Sequence, residues 1–261
     1  MKPCKLMYAI IGDIAGSVYE FSRNKEIPTI QSLIKEGCTF TDDTVHTIAI
    51  AEAILNNTEN PDFASSIRKW SKKYPHAGYG GRIRAWFKGE GPGDSFGNGA
   101  YMRISPLYWV YFGVQKKAMM AHSIACSHDH PQSYLFIDAL LDKREPVWCS
   151  TEAQKDLYSG ELSVEEYHKH YKFNSSCIGS VPEAIYIARH ASSYEECLKQ
   201  AISLCGDTDT QAAIAGGIYG YLTNEEIPDD LYNWAWNLLP KEMTQIIEKY
   251  EKYIQKEWGV D

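Results

Sequence analysis

The sequence predicts an all-α fold, a compact single-domain helical bundle over residues 1–261, on three observations. Helical periodicity recurs along the chain, no stretch alternates apolar and polar residues with a period of two, and two segments are apolar nearly all round, as helices at the centre of a bundle are. A length of 261 residues with 44% apolar and 23% charged residues suits one core of ordinary globular composition.

The elements follow in order. In "LMYAIIGDIAGSVYEF", Ala9, Gly12 and Gly16 share one helical face, so the stretch reads as a helix whose small residues admit a close neighbour. "TDDTVHTIAIAEAILNN" reads as a buried helix opened by Thr41, Asp42, Asp43 and Thr44. "FKGEGPGDSFGNGAYMRISP" is too rich in glycine and proline for a helix or strand interior and reads as a loop. "SGELSVEEYHKHYKFNSSCIGS", polar and aromatic, reads as a second loop, an excursion near the site. "DTQAAIAGGIYGYL" is another buried helix, built from Ala and Gly. "EEIPDDLYNWAWNLL" is a helix opened by Pro228 and acidic residues. In "KEMTQIIEKYEKYIQKEW", Met243, Ile246, Ile247, Tyr250, Tyr253, Ile254 and Trp258 form the apolar stripe of a terminal helix.

Charge and cysteine usage narrow the function classes. A net charge of -8 and a pI near 5.5 give no long-range attraction to nucleic acid or anionic membranes. The apolar N-terminal stretch is interrupted by Gly12 and Asp13, too soon for a signal peptide or membrane span. The seven cysteines, Cys4 among them, are scattered, odd in number and without a C-x-x-C pair, which points to a reducing cytoplasm. A cytoplasmic monomer is expected.

Five constellations carry chemistry. Asp42 and Asp43 stand at the mouth of the first buried helix. A helix cap needs one acidic residue there, not two. "CGDTDT" repeats the arrangement, with Asp207 and Asp209 before the second buried helix. Packing the two helices together would gather four carboxylates, with no Lys or Arg in either motif. Like charges at ~4 Å repel by about 4 kcal/mol per pair at an effective dielectric near 20. Hard divalent cations, two Mg²⁺ or Mn²⁺ shared by both helices, would resolve that conflict through carboxylate and hydroxyl oxygens. In "GDIAGSVYEF", Asp13 is informative, and Glu20 between Tyr19 and Phe21 is a carboxylate suited to acid–base work if its surroundings are apolar. In "SFGNGAYMR", Gly97 and Gly99 free the backbone around Asn98, so that loop N–H groups would cradle a phosphate. "SHDHPQS" holds His128 and His130. That pair, like His168 and His170, reads as ordinary histidines on spacing alone, and His46 reads as a core histidine.

In this order the five elements resemble the ADP-ribosylglycohydrolase family, which includes the dinitrogenase reductase activating glycohydrolases and the ADP-ribosyl-acceptor hydrolases. Its pattern runs G-D-x-x-G-x-x-x-E-F, T-D-D-T, S-x-G-N-G-x-x-M-R, T-H-x-H-P and G-G-D-x-D-T. Here these stand as Gly12 to Phe21, Thr41 to Thr44, Ser95 to Arg103, Ser127 to Pro131, and Cys205 to Thr210. Cys205 stands where the family has Gly, Ser127 where it has Thr, and His46 where Met or Leu is usual. The resemblance implies an all-α hydrolase with two Mg²⁺ (or Mn²⁺) held by Thr41, Asp42, Asp43, Asp207, Asp209 and Thr210. It implies that Ser95, Phe96, Gly97, Asn98, Gly99 and Met102 line the diphosphate and distal ribose, with His128 near the adenosine. Glu20, Asp42 and Asp209 are the catalytic candidates. The substrate would be an ADP-ribosylated protein or small molecule, with ADP-ribose as product. The acceptor's rim would include Trp86, Tyr101, Tyr108 and residues 158–176. Rival readings on the same fold are a non-catalytic binder and an immunity protein that blocks an ADP-ribosylating toxin.

Overall fold

The computed structural model describes residues 5–20, 30–142, 149 and 151–259. Cys4 and Phe21, and the side chain of Trp258, lie outside the described residues. The chain is all-α. Its helices are α1 (Met7–Gly16), α2 (Asp42–Asn56), α3 (Phe63–Lys73), α4 (Gly81–Lys88), α5 (Leu107–Val110), α6 (Gly113–Ala125) and α7 (Ile137–Asp142). There follow α8 (Glu152–Ser159), α9 (Val164–Tyr167), α10 (Val181–His190), α11 (Tyr194–Ser203), α12 (Thr208–Thr223), α13 (Asp229–Leu238) and α14 (Lys241–Trp258). No strand forms among the described residues, and none of their helices is long and apolar enough to cross a membrane.

At the centre α1 lies on α12, backbone against backbone. A Cβ at Gly12 would fall 2.2 Å from the Ala212 carbonyl oxygen, and one at Gly16 would fall 2.4 Å from that of Thr208. Only glycine permits this approach. From the other side, Gly216 and Gly220 of α12 receive the backbone and ring of Tyr8. Helices α10 and α11 cover the rest of α12, while α3 and α14 cover α2. Every residue of α1 is buried, as are Asp43 through Ala51 of α2. Each Ile or Val so placed contributes about 1.5–3 kcal/mol relative to exposure. The α14 stripe behaves as its spacing predicts, with Met243, Ile247, Tyr250 and Ile254 inside.

One expectation needs correction. The excursion 159–180 is not all loop. A capping box at Ser163, with Glu166 reaching back, starts the short helix α9, and a 3-10 turn spans Cys177–Gly179. The glycine-rich stretch from 87 to 106 is irregular as expected, apart from its first two residues, which end α4, and a 3-10 turn at Asn98–Ala100. Isolated bridges from Asp94 to His128 and from Gly97 to Ser176 clamp it between two other segments.

Candidate active site

The α1–α12 contact sets the site, because it brings three helix ends together. The C-terminal half of α1 carries Asp13, the start of α2 carries Asp42 and Asp43, and the start of α12 carries Asp207 and Asp209. Asp13 is buried and reaches across to α2, accepting from the Thr41 and Thr44 N–H groups at 2.9 and 3.0 Å and from Thr41 Oγ1 at 2.7 Å. The N-cap of α2 is Thr41, whose hydroxyl accepts from Asp43 N. Asp13 and Thr41 therefore cap α2, and neither carboxylate of the Asp42–Asp43 pair is used for it.

Asp13, Asp43 and Asp209 each offer a carboxylate oxygen, all within 4.8 Å of one another, and so do Glu20, Asp207 and Asp209. Asp209 is common to both groups. Thr210 Oγ1 donates to Asp43 Oδ2 at 3.2 Å, and Asn98 Nδ2 donates to Asp207 Oδ2 at 2.8 Å. Asp43 Oδ1 is buried without a partner. Among the described residues no Lys or Arg pairs with any of these carboxylates. Burial, then mutual repulsion, pushes Asp42, Asp43 and Asp209 well above the usual carboxylate range. Burial raises Asp13 and Asp207 as well. Glu20, half-buried, is pushed up to about 7 by burial, then by Asp207 and Asp13.

Above the carboxylates opens a cavity of about 410 Å³. Ser95, Phe96, Gly97, Asn98, Gly99, Met102 and His128 all line it, as do Glu20, Asp42, Asp207, Asp209 and Thr210. Thr41 and Asp43 do not. Asp42 lines the cavity but belongs to neither carboxylate group.

Three readings of this region change. The phosphate cradle is smaller than the glycines suggest. Gly97 N–H donates to Ser95 Oγ and Asn98 N–H to the Ser175 carbonyl, which leaves the N–H groups of Phe96 and Gly99. The rim is also different. Trp86, Tyr101 and Tyr108 are 4%, 1% and 3% exposed and pack in the core, so they cannot face an acceptor. The mouth is held instead by Arg82, stacked on Phe96 at 5.0 Å, and by the exposed Phe173 of the excursion. His46 is a core histidine bonded to Ser71 Oγ, yet it also reaches the cavity wall, with Nδ1 buried and unpartnered. His130 is ordinary, its ring accepting from Gln132 N–H.

Sequence reasoning missed the wall formed by Gly78, Gly80 and Gly81. The run "GYGG" was its visible signal. Gly78 has φ +102, and a Cβ there would lie 3.3 Å from Asp42 Oδ1. The role of Asp13 had no sequence signal beyond the motif that holds it.

A family model described as ADP-ribosylglycohydrolase matches residues 6–258. Among curated proteins, the ADP-ribosylhydrolase ARH3 of Bos taurus is 24% identical, across 92% of this chain and 88% of its own length. The Homo sapiens protein of that name is 25% identical, across 92% and 89%. A solved structure titled "ADP-ribosylglycohydrolase-related protein complex" shares the fold with a TM-score of 0.64 at 17% identity, over 96% of each chain.

Proposed function

The chain belongs to the ADP-ribosylglycohydrolase family, hydrolases that remove ADP-ribose from an acceptor, and from that premise we propose a metal-dependent enzyme that cleaves the bond between C1″ of ADP-ribose and a nitrogen or oxygen of an ADP-ribosylated protein or small molecule. One observation carries the metal dependence. Six carboxylates with raised pKa values gather in one place, Glu20, Asp42, Asp207 and Asp209 at the cavity and Asp13 and Asp43 buried beside it, with an orphaned Asp43 oxygen and no cationic partner among the described residues. Such a set is unstable as it stands and fits hard divalent cations, whose preferred donors are oxygens. Mg²⁺ or Mn²⁺, two by the two carboxylate groups, would be held by Asp43, Asp207, Asp209 and Thr210, with Thr41 and Asp42 contributing as the family resemblance implies. When bound, such ions supply positive charge and Lewis acidity to a ribose and to the attacking water.

The chain's own residues divide the rest of the work. The Ser95–Gly99 loop, Met102 and His128 seat the ADP-ribose, and the N–H groups of Phe96 and Gly99 supply backbone donors. Cleavage at C1″ passes through an oxocarbenium-like state, which demands a protonated leaving group on one side and an oriented water on the other. Glu20, whose carboxyl is held above the usual range by burial, can carry a proton and deliver it to the leaving atom. Asp209 or Asp42 accepts a hydrogen bond from the water and orients it. Asn98 has a second duty, since its amide holds Asp207 in place.

The test is a panel of arginine-, serine- and nucleobase-linked ADP-ribose, assayed with Mg²⁺ and with EDTA. Release of ADP-ribose from at least one linkage, abolished by EDTA, is expected. Release that survives EDTA would remove the metal from the reading, and no release from any linkage would remove the activity.

A further inference from the structure

Arg103 is a fully buried cation that meets no carboxylate among the described residues. Its Nη2 donates to the Ser123 carbonyl at 2.6 Å and to Ser127 Oγ at 2.9 Å, while Nε and Nη1 are buried without a partner. A guanidinium only donates, so Ser127 Oγ must accept from it. The same Oγ lies 2.9 Å from His128 Nδ1, and both residues are buried.

These contacts fix a proton. If Nδ1 carried the ring hydrogen, Ser127 Oγ would accept twice, and its own hydrogen would be left buried. Among the described residues the remaining contact to this oxygen is the Cys126 thiol at 3.9 Å, which is placed as a donor and is only a weak acceptor. If Nδ1 instead accepts from the hydroxyl, the Ser127 hydrogen and the Nδ1 lone pair satisfy one another. The nearby guanidinium also favours a hydroxyl whose hydrogen points away from it. The ring is neutral, because burial and then Arg103 lower its pKa well below the usual value. Nε2 then carries the hydrogen, and it faces the ligand loop. A Cβ at Gly99 would fall 3.1 Å from Nε2 and one at Gly97 would fall 3.9 Å away, and His128 lines the cavity.

We infer that Arg103 and Ser127 are positioning residues that lock His128 in its Nε2–H tautomer, so that the cavity presents a neutral N–H donor to an acceptor atom of the ligand. The identity of that ligand as ADP-ribose rests on the function proposed above; the tautomer does not. Ser127 stands where the family has Thr, which keeps the hydroxyl, so Ser127→Thr should preserve the lock and Ser127→Ala should break it.

The experiment pairs two readouts on the full chain, with folding checked by circular dichroism. Imidazole ¹⁵N spectra of histidine-labelled protein, with His128 assigned by its loss in His128→Asn, report the tautomer. The wild type and Ser127→Thr should show Nε2–H, and Ser127→Ala should shift toward Nδ1–H or a mixture. An Nδ1–H wild type, or an unchanged tautomer in Ser127→Ala, would overturn the inference. Calorimetry with ADP-ribose and saturating Mg²⁺ should show Ser127→Ala binding roughly tenfold more weakly, about the worth of one hydrogen bond, with Ser127→Thr rescued. An altered tautomer with unchanged affinity would overturn the donor role. If the wild type binds no ADP-ribose, the functional reading fails, and the spectra still decide whether the lock exists.

Discussion

Asp209 is the carboxylate shared by both groups of the cluster, whereas Asp42 lies at the cavity wall outside them. Asp209→Ala should therefore lower metal affinity by tenfold or more, equivalent to at least about 1.4 kcal/mol, and abolish most turnover. Asp42→Ala should lose turnover while keeping more of its metal. Metal content after dialysis, measured beside the rate, separates the two. Glu20→Gln tests proton delivery. It should lower kcat with little change in ADP-ribose affinity, and the defect should shrink on substrates whose leaving groups are acidic. An equal loss on good and poor leaving groups, with altered affinity, would leave Glu20 a gating role instead. Cys205 offers a stability test. Its φ of 55 lies in the left-handed region, which costs a non-glycine residue about 1–2 kcal/mol. Cys205→Gly should relieve that strain at some cost in unfolded-chain entropy, a net gain of roughly 0.5–1 kcal/mol in unfolding free energy, read as a higher denaturant midpoint at unchanged slope.

The elements that matter most are α1 and α12, since their contact brings Asp13 to Asp207 and Asp209, and Asp13 in turn holds the start of α2 with Asp42 and Asp43. The atoms facing a Cβ at Gly12 are the Ala212 carbonyl group and Ala213 N, all backbone. They cannot rotate away. Gly12→Ala should destabilise the fold by about 3 kcal/mol, the upper range for overpacking, and should weaken metal binding by separating Asp13 and Asp43 from Asp209. Gly81→Ala, at the start of α4 with nothing within 4 Å of a Cβ, should stay within about 0.5 kcal/mol of wild type. Thermal unfolding with and without Mg²⁺ reads both effects. The ligand loop depends on its neighbours in a similar way, through Asn98 N–H on the Ser175 carbonyl and Cys177 N–H on that of Phe96. The excursion is thus a wall of the site as well as a covering.

Across the whole molecule, the acidic cluster links stability to pH. Carboxyls with raised folded pKa values hold protons that the unfolded chain has lost, so without metal their effect on stability is most favourable below the unfolded pKa and is lost as pH rises through the folded value. For Glu20 that window runs from 4.5 to about 7. Cations act in the opposite sense, because they bind the deprotonated ligands. The rise in Tm produced by Mg²⁺ or Mn²⁺ should grow from about pH 5 to about pH 7.5, reaching roughly 5 °C at a hundredfold excess over Kd. Scans in EDTA and in Mg²⁺ at several pH values check this, and a shift that does not depend on pH would mean that the cations bind elsewhere.

The sequence alone determined the helical class, the bounds of the buried helices and the paired carboxylates at their mouths. These are local facts, since periodicity, capping residues and motif spacing are written in consecutive positions. The close face of α1 was legible as well, because Gly12 and Gly16 recur one turn apart. Only the tertiary structure decided which residues meet. It gave Asp13 its place as the remote cap of α2, buried Trp86, Tyr101 and Tyr108 away from the rim, and engaged the Gly97 N–H inside the loop and the Asn98 N–H on the Ser175 carbonyl of the excursion. It also joined Arg103 to His128 through Ser127, residues separated by more than twenty positions. Aromatic residues near a glycine loop carry no local mark of whether they face solvent or core, and a donor carries none of the acceptor it will find. Both depend on the packing of distant segments, which no single stretch of chain contains.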